Sequence, residues 1–222
     1  MDRVYRRIVA ELLDDVVSGR IAAATRLPKV EEIAARHACS LGAAREALRA
    51  LEERGIVEVH AGQGQQVRGD DGWALLDRDV AEAALLRHSD PQLLREAVDA
   101  LRLIETQAAM LAARKLTEGD LALLEQTLGQ MREPDTGPGF AEAEAAFHRT
   151  LLLISGNRFL ASALESLHPV IAHVRRQRAP ERDTAVVRAH ERIMAALGER
   201  DATATAAAVD AYARRLASWL RL

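Results

Sequence analysis

The chain has 222 residues, of which 49% are hydrophobic, 28% are charged and 3% are aromatic, a composition that favours a mainly helical globular protein. No apolar run approaches the roughly 18 residues that a membrane span requires, and the single cysteine excludes a disulfide framework. The formal net charge of −3 excludes a global positive field, so any contact with nucleic acid must come from a local basic patch. Because the N terminus lacks an apolar signal core, we expect a cytoplasmic protein with no membrane partner.

The first third of the chain predicts three helices followed by a β-hairpin. The first predicted helix covers residues 4–17, the second begins at Leu27-Pro28 and the third covers residues 40–54. The predicted strands lie within residues 56–60 and 65–67. Ser40 is placed to cap the third helix, which ends at Gly55. A glycine-rich tip separates the two strands. This order predicts a winged helix-turn-helix domain over residues 1–69.

The third predicted helix has an apolar face and a polar face. The apolar positions are Ala44, Ala47, Leu48 and Leu51, and the opposite positions are Gly42, Arg45, Arg49 and Glu52. Arg45 and Arg49 lie one turn apart, and Gly42 lets a backbone approach closely. Such a helix fits the major groove of DNA, where arginine pairs with phosphate or guanine. The alternative is that both arginines are ordinary surface residues.

From residue 73 onward the sequence predicts helices and no strand. Asp70-Asp71-Gly72 is the predicted linker. The predicted helices cover residues 73–88, 91–116, 118–131, 140–154, 158–177, 183–198 and 202–221. We therefore predict an all-helical bundle over residues 73–222, so that the whole chain is mainly α with two domains.

Motifs in both halves resemble a known family. In the N-terminal half they are Gly19-Arg20-Ile21, Arg26-Leu27-Pro28, Glu32-Ile33-Ala34, Ser40, Arg45-Glu46-Ala47-Leu48, Leu51, Gly55, and Gly62-Gln63-Gly64 with Val67. In the C-terminal half they are Arg102-Leu103-Ile104-Glu105, Phe147-His148, Ser155-Gly156-Asn157 and Ala189-His190. With these motifs the chain resembles a GntR-type transcriptional regulator of the FadR branch. The C-terminal part resembles the FCD ligand-binding domain in its short, VanR-like version.

The resemblance implies a homodimer that binds a palindromic operator in double-stranded DNA. It also implies a small-molecule effector, often an organic acid, that alters DNA affinity, most often in a repressor. Together with the pattern of the third helix, it assigns DNA contacts to Lys29, Ser40, Gly42, Arg45, Arg49, Gly62 and Gln63. Two positions depart from the family, because Leu41 and Glu31 stand where arginine is common. A leucine cannot pair with phosphate and a glutamate repels it, so Lys29 and Arg49 would have to compensate.

In many FCD domains an aspartate, a histidine four residues later and two further histidines bind a divalent metal. Glu144 stands in the aspartate position here, His148 follows at i+4 on the same helix face, and His190 matches the second histidine. Tyr212 occupies the place of the third histidine, and a neutral phenol is a poor ligand for zinc or nickel. Two interpretations stay open. Either three protein ligands hold Zn²⁺ or Ni²⁺, or Tyr212 donates directly to an effector carboxylate without a metal.

Effector contacts are predicted for Arg102, Asn157 and Tyr212. For Arg102 the alternative is a structural ion pair with Glu105, three residues later on the same helix. For Asn157 the alternative is that it caps a helix. For His148 and His190 the alternative is that they are core residues whose hydrogen bonds are satisfied within the protein.

Two other functions compete with that of a metabolite-responsive regulator. A metal-dependent enzyme would use Glu144, His148 and His190, but the sequence offers no dedicated base or nucleophile beside them. We therefore predict that the protein is not an enzyme. A sensing or interaction protein that has lost DNA binding would account for Glu31 and Leu41.

Overall fold

The structure is a computed structural model, and it describes residues 2–60, 64–87, 91–133, 138–177 and 184–219. Contacts within the chain group it into two compact units, which cover residues 1–89 and 90–222. The predicted fold class is confirmed, since the described residues form helices and one small two-stranded sheet. In the described part of the chain, no helix combines the length and the apolar composition that crossing a bilayer demands.

The N-terminal unit contains three helices, a β-hairpin and a short helical tail. Its elements are α1 (Asp2–Val17), α2 (Val30–Arg36), α3 (Leu41–Glu53), β1 (Val57–His60), β2 (Gly64–Val67), a 3₁₀ turn (Asp70–Gly72), α4 (Arg78–Glu82) and a π-helical turn (Ala83–Arg87). The two strands are antiparallel, with Val57 opposite Val67 and His60 opposite Gly64. The winged helix-turn-helix order predicted from the sequence is therefore present.

Helix α3 begins at a serine cap and buries the face that its sequence period predicts. The Ser40 hydroxyl accepts a hydrogen bond from the Ala43 N–H at 3.2 Å, which satisfies one of the donors left open at a helix start. Ala44, Ala47 and Leu51 are completely buried. Because alanine side chains are short, α1 packs closely against α3, and this packing fixes which face of α3 points to solvent.

The C-terminal end of α3 is held by the segment that the sequence predicts as a linker. Gly55 adopts a φ of +69°, and a Cβ atom there would lie 2.0 Å from the Gly72 carbonyl oxygen. The Arg54 carbonyl accepts from the Ala74 N–H at 2.9 Å. The Arg54 guanidinium lies 3.2 Å from a carboxylate oxygen of Asp77. The segment after the hairpin is thus packed onto α3.

The prediction of one helix over residues 73–88 is wrong. Trp73 is extended, with φ −72° and ψ 139°, and α4 starts only at Arg78. Asp77 is the physical reason, because its side chain accepts from the N–H groups of Asp79 and Val80 and so caps a helix that begins after it. The segment also packs with the N-terminal unit, since Val80 lies in the N-terminal core and Trp73 packs against it.

The described residues of the C-terminal unit form helices and no strand, as predicted. Its helices are α5 (Pro91–Ala113), α6 (Glu118–Arg132), α7 (Pro138–Ser155), α8 (Arg158–Gln177), α9 (Thr184–Gly198) and α10 (Ala202–Trp219). Helix α5 packs against α7 and α10, and α9 packs against α6 and α10. Helix α5 ends before the predicted residue 116, and a turn then directs Leu116 into the core. The apolar core between these helices surrounds a small group of polar side chains.

Candidate functional site

The exposed face of α3 presents the residues that the sequence predicts for DNA contact. Ser40, Gly42, Arg45 and Arg49 are all exposed. In the part of the chain that the structure describes, the Arg45 guanidinium forms no hydrogen bond or ion pair. Arg49 lies 3.1 Å from the Glu53 carboxylate one turn later, and both side chains are more than half exposed. Such an exposed pair is weak, so phosphate could displace Glu53 from Arg49.

A concavity of about 750 Å³ lies beside this face of α3. It is lined by the start of α2, by α3 and by the hairpin, with Arg26, Lys29, Glu31, Arg45, Glu46, Arg49, Glu52, Gly64 and Gln65 among its lining residues. Lys29, which directly precedes α2, and Arg45 on α3 therefore face the same space. Gly62 and Gln63, the predicted contacts at the hairpin tip, lie outside the described residues.

The two departures from the family pattern also lie on this surface. Leu41 is the first residue of α3 and is 43% exposed. Glu31 is exposed in the first turn of α2 and lines the concavity. The surface is therefore not uniformly basic, and it combines arginines with an exposed carboxylate and an exposed apolar side chain.

The C-terminal unit brings together four residues that the sequence assigns to one site. Glu144 and His148 come from α7, His190 from α9 and Tyr212 from α10, and none is more than 4% exposed. The Tyr212 hydroxyl donates to a carboxylate oxygen of Glu144. The Tyr212 ring stacks on the His148 ring with their centroids 4.9 Å apart.

The two imidazoles of this cluster are hydrogen-bonded to each other. The Nε2 atoms of His148 and His190 are 3.1 Å apart, and His190 Nδ1 lies 2.9 Å from the Val186 carbonyl oxygen. A carbonyl only accepts, so a neutral His190 has its proton on Nδ1 and its lone pair on Nε2. His148 must then donate from Nε2, which is an assignment made from the hydrogen-bond network.

Glu105 joins the same cluster from α5, although sequence reasoning assigned it only as a partner of Arg102. It is 4% exposed, and its carboxylate lies 3.4 Å from His148 Nδ1. The signal was present in the sequence, because Leu101, Glu105, Ala108 and Ala112 follow a helical period along one face of α5. A glutamate within such an apolar stripe indicates a buried polar partner.

The other two predicted effector contacts have structural partners. Arg102 lies 2.7 Å from Asp210 of α10, so it has a structural ion pair, as the alternative to effector binding proposed, but with Asp210 and not with Glu105. The hydrogen bond from Arg102, with a second from Arg214, lowers the pKa of Asp210 below its ordinary value. The Asn157 side chain accepts from the Phe159 N–H at 3.0 Å, which makes it the cap of α8. Their contact with an effector stays a prediction.

Comparison with known protein families accounts for both units. Residues 4–67 match the bacterial regulatory proteins of the gntR family, and residues 96–215 match the FCD domain. The chain belongs to the GntR family and contains an FCD domain. The resemblance noted in the sequence is thereby confirmed.

Curated relatives of this GntR-family protein are named as operon regulators. The galactonate operon transcriptional repressor of Escherichia coli K12 is 30% identical over 66% of this chain and 64% of its own length. The Glc operon transcriptional activator of the same strain is 26% identical over 87% of this chain and 80% of its own length. The chain thus spans less than two thirds of the galactonate operon repressor.

A solved structure shares the fold of this GntR-family protein. It is a Streptococcus agalactiae GntR protein, which is 24% identical and superposes with a TM-score of 0.52 over 95% of this chain and 97% of that one. At this level of identity the similarity establishes the fold alone.

The FCD cluster of this GntR-family protein does not fit a preformed metal centre. Among the described residues, no group of three or more His, Cys, Asp and Glu side chains is arranged to hold a metal ion. Tyr212 donates to Glu144 from the position where many FCD domains have a third histidine, and the two imidazoles bond to each other. Glu144 Oε1 and the Nε2 atoms of both histidines therefore take part in hydrogen bonds within the cluster.

Proposed function

We propose that this protein is a transcriptional regulator that binds double-stranded DNA through α3 and the hairpin, and that it changes DNA affinity when a small organic acid binds its FCD domain. The observation with the most weight is Arg45, which is exposed on the outer face of α3 and, among the described residues, has no hydrogen bond or ion pair. Arginine in this position of a winged helix-turn-helix is suited to phosphate or guanine.

The proposal includes a homodimer on a palindromic operator, because one α3 can occupy only one half-site and a two-fold axis supplies the second. It also includes repression, which is the activity named for the galactonate operon relative. Binding to chromosomal DNA would place the protein in the cytoplasm. The relatives are named as regulators, which supports a binding function over an enzymatic one.

For the effector we propose a carboxylate that binds without a metal. Galactonate, which appears in the name of one relative, is a carboxylate. The hydroxyl of Tyr212 and the imidazole of His148 are donors that can serve an incoming carboxylate in exchange for Glu144 and His190.

Fluorescence anisotropy with DNA fragments that flank the protein's own gene tests this function. We expect binding that weakens steeply with salt and that galactonate or another small organic acid shifts. Elemental analysis of the same sample reports its metal content. The proposal is overturned if no fragment binds at any salt concentration, with or without the acids.

The exposed carboxylate of Glu31 supports a second candidate, a sensing protein that no longer binds DNA. Under this candidate, the double variant Glu31→Arg with Leu41→Arg should bind DNA that the native chain ignores. If the native chain already binds with salt-sensitive affinity, the second candidate is excluded.

A further inference from the structure

Leu41 is an apolar side chain in a place where DNA-binding helices usually have polar ones. It is the first residue of α3 and is 43% exposed, although the rest of the polar face of α3 has charged or small residues. Leu41 and Arg45 are four residues apart, so they lie on the same face of the helix one turn from each other. A duplex that reaches Arg45 therefore also reaches Leu41.

The neighbours of Leu41 leave room for a duplex. Ser40 uses its side chain to cap the helix. At Gly42 a Cβ atom would meet only the Ser40 hydroxyl, at 3.7 Å, and otherwise open space. Because these two neighbours are small, the start of α3 can enter a groove deeply, and the Leu41 side chain is the largest group at that end.

We infer that Leu41 contacts the 5-methyl group of a thymine in the major groove and so sets the base preference of the DNA site. The inference rests on the proposed DNA-binding function. The major groove presents one apolar group, the thymine methyl, and all its other distinguishing groups are hydrogen-bond donors or acceptors. The N-terminal residues of a recognition helix are the ones that contact base edges. A leucine there gains free energy only by covering that methyl.

The charges around Leu41 support a duplex as the occupant. Arg45 and Arg49 follow on the exposed face of α3, and Lys29 faces the same concavity as both of them. Cations of this kind attract the phosphate backbone. Their contacts with phosphate position the helix without selecting a sequence, so base selection also depends on contacts with base edges such as that of Leu41.

The test removes the methyl group and the leucine separately. Duplexes are selected from a random pool with the full-length native protein, and each thymine of the selected site is then replaced in turn by deoxyuridine. We expect one position per half-site at which loss of the methyl weakens native binding about 4-fold. The Leu41→Ala variant should bind the thymine duplex more weakly and be indifferent to deoxyuridine at that position.

Leu76→Ala is the matched control, because Leu76 is 58% exposed in the same unit but lies outside α3. It should retain the native sensitivity to the methyl group. A Leu41→Arg variant should lose that sensitivity and favour guanine at the same position.

Two results would overturn the inference about Leu41 without affecting the proposed DNA-binding function. One is equal native affinity for thymine and deoxyuridine at every position, and the other is unchanged sensitivity to the methyl group in Leu41→Ala. If the selection enriches no duplex at all, the proposed DNA-binding function fails, and the inference fails with it.

Discussion

His148 and His190 place their Nε2 atoms 3.1 Å apart in the interior of the C-terminal unit. The Val186 carbonyl fixes the proton of a neutral His190 on Nδ1, so His190 accepts at Nε2 and His148 donates to it. On the other side of the His148 ring, a carboxylate oxygen of Glu105 lies 3.4 Å from Nδ1. A change at His148 therefore affects partners on both sides.

Replacing His148 by alanine should abolish the response to the effector while DNA binding by the free protein is retained. The substitution leaves the buried Glu105 and His190 without their shared partner, which should also cost about 1–3 kcal/mol of stability. Anisotropy with and without the organic acid, together with urea denaturation, measures both effects. Leu153→Ala is the control, because Leu153 lies on the same helix and is 68% exposed. An unchanged effector response in His148→Ala would exclude the proposed pocket.

The substitution Tyr212→His should raise the metal affinity of the cluster above that of the native protein. It replaces a phenol, which is a poor ligand, by an imidazole beside Glu144, His148 and His190. Equilibrium dialysis against Zn²⁺ or Ni²⁺ should show binding at least ~10-fold tighter than in the native protein. Tyr212→Phe should bind metal no better than the native chain. Stoichiometric, chelator-sensitive metal in the native protein would contradict the metal-free proposal.

Gly55→Ala should destabilise the protein strongly. The left-handed conformation costs alanine about 1–2 kcal/mol, and the added Cβ would lie 2.0 Å from the Gly72 carbonyl oxygen. Gly19→Ala is the matched control, since Gly19 has a φ of +74° and nothing within 4 Å of the position of a Cβ. Urea denaturation should therefore show a larger loss for Gly55→Ala. Equal losses would mean that the contact with Gly72 contributes nothing.

Arg45→Ala should weaken DNA binding without changing the melting temperature. The Arg45 side chain is exposed, and within the described residues it has no ion pair to lose. If Arg45 contacts a phosphate, the slope of log K for DNA binding against log salt concentration should fall by about the amount that one phosphate contact per protomer contributes. A fall in melting temperature instead of affinity would show that Arg45 is structural.

The ion pair between Arg102 and Asp210 should stabilise the protein at neutral pH, and this stabilisation should be lost in acid. Its hydrogen bond lowers the pKa of folded Asp210, so the stabilisation is fully present above the unfolded value of about 3.9. It is lost as the pH falls through the lower, folded value. Asp210→Asn should therefore flatten the decline in melting temperature as the pH falls below about 4. Asp99→Asn is the control, because Asp99 lies 3.6 Å from Arg102 and is 71% exposed, and it should change the profile less.

The sequence predicted best those structural features that depend on residues close together in the chain. The buried face of α3 follows from a 3.6-residue period, and its start follows from the Ser40 cap; the structure has both. The failures concern distant partners. Glu105 is buried because His148 arrives from another helix, and Arg102 pairs with Asp210, 108 residues further along the chain. The helix predicted over residues 73–88 failed because the Asp77 cap and the packing of Trp73 outweigh its helical pattern.

The place of Trp73 and Val80 in the N-terminal core determines where the chain can be cut to isolate its DNA-binding part. A fragment that stops at residue 69 would remove these apolar side chains, together with the Ala74 N–H that bonds to the Arg54 carbonyl. A fragment that stops at residue 87 would retain both. The longer piece should therefore be the one that melts cooperatively, even though the family match on this side ends at residue 67.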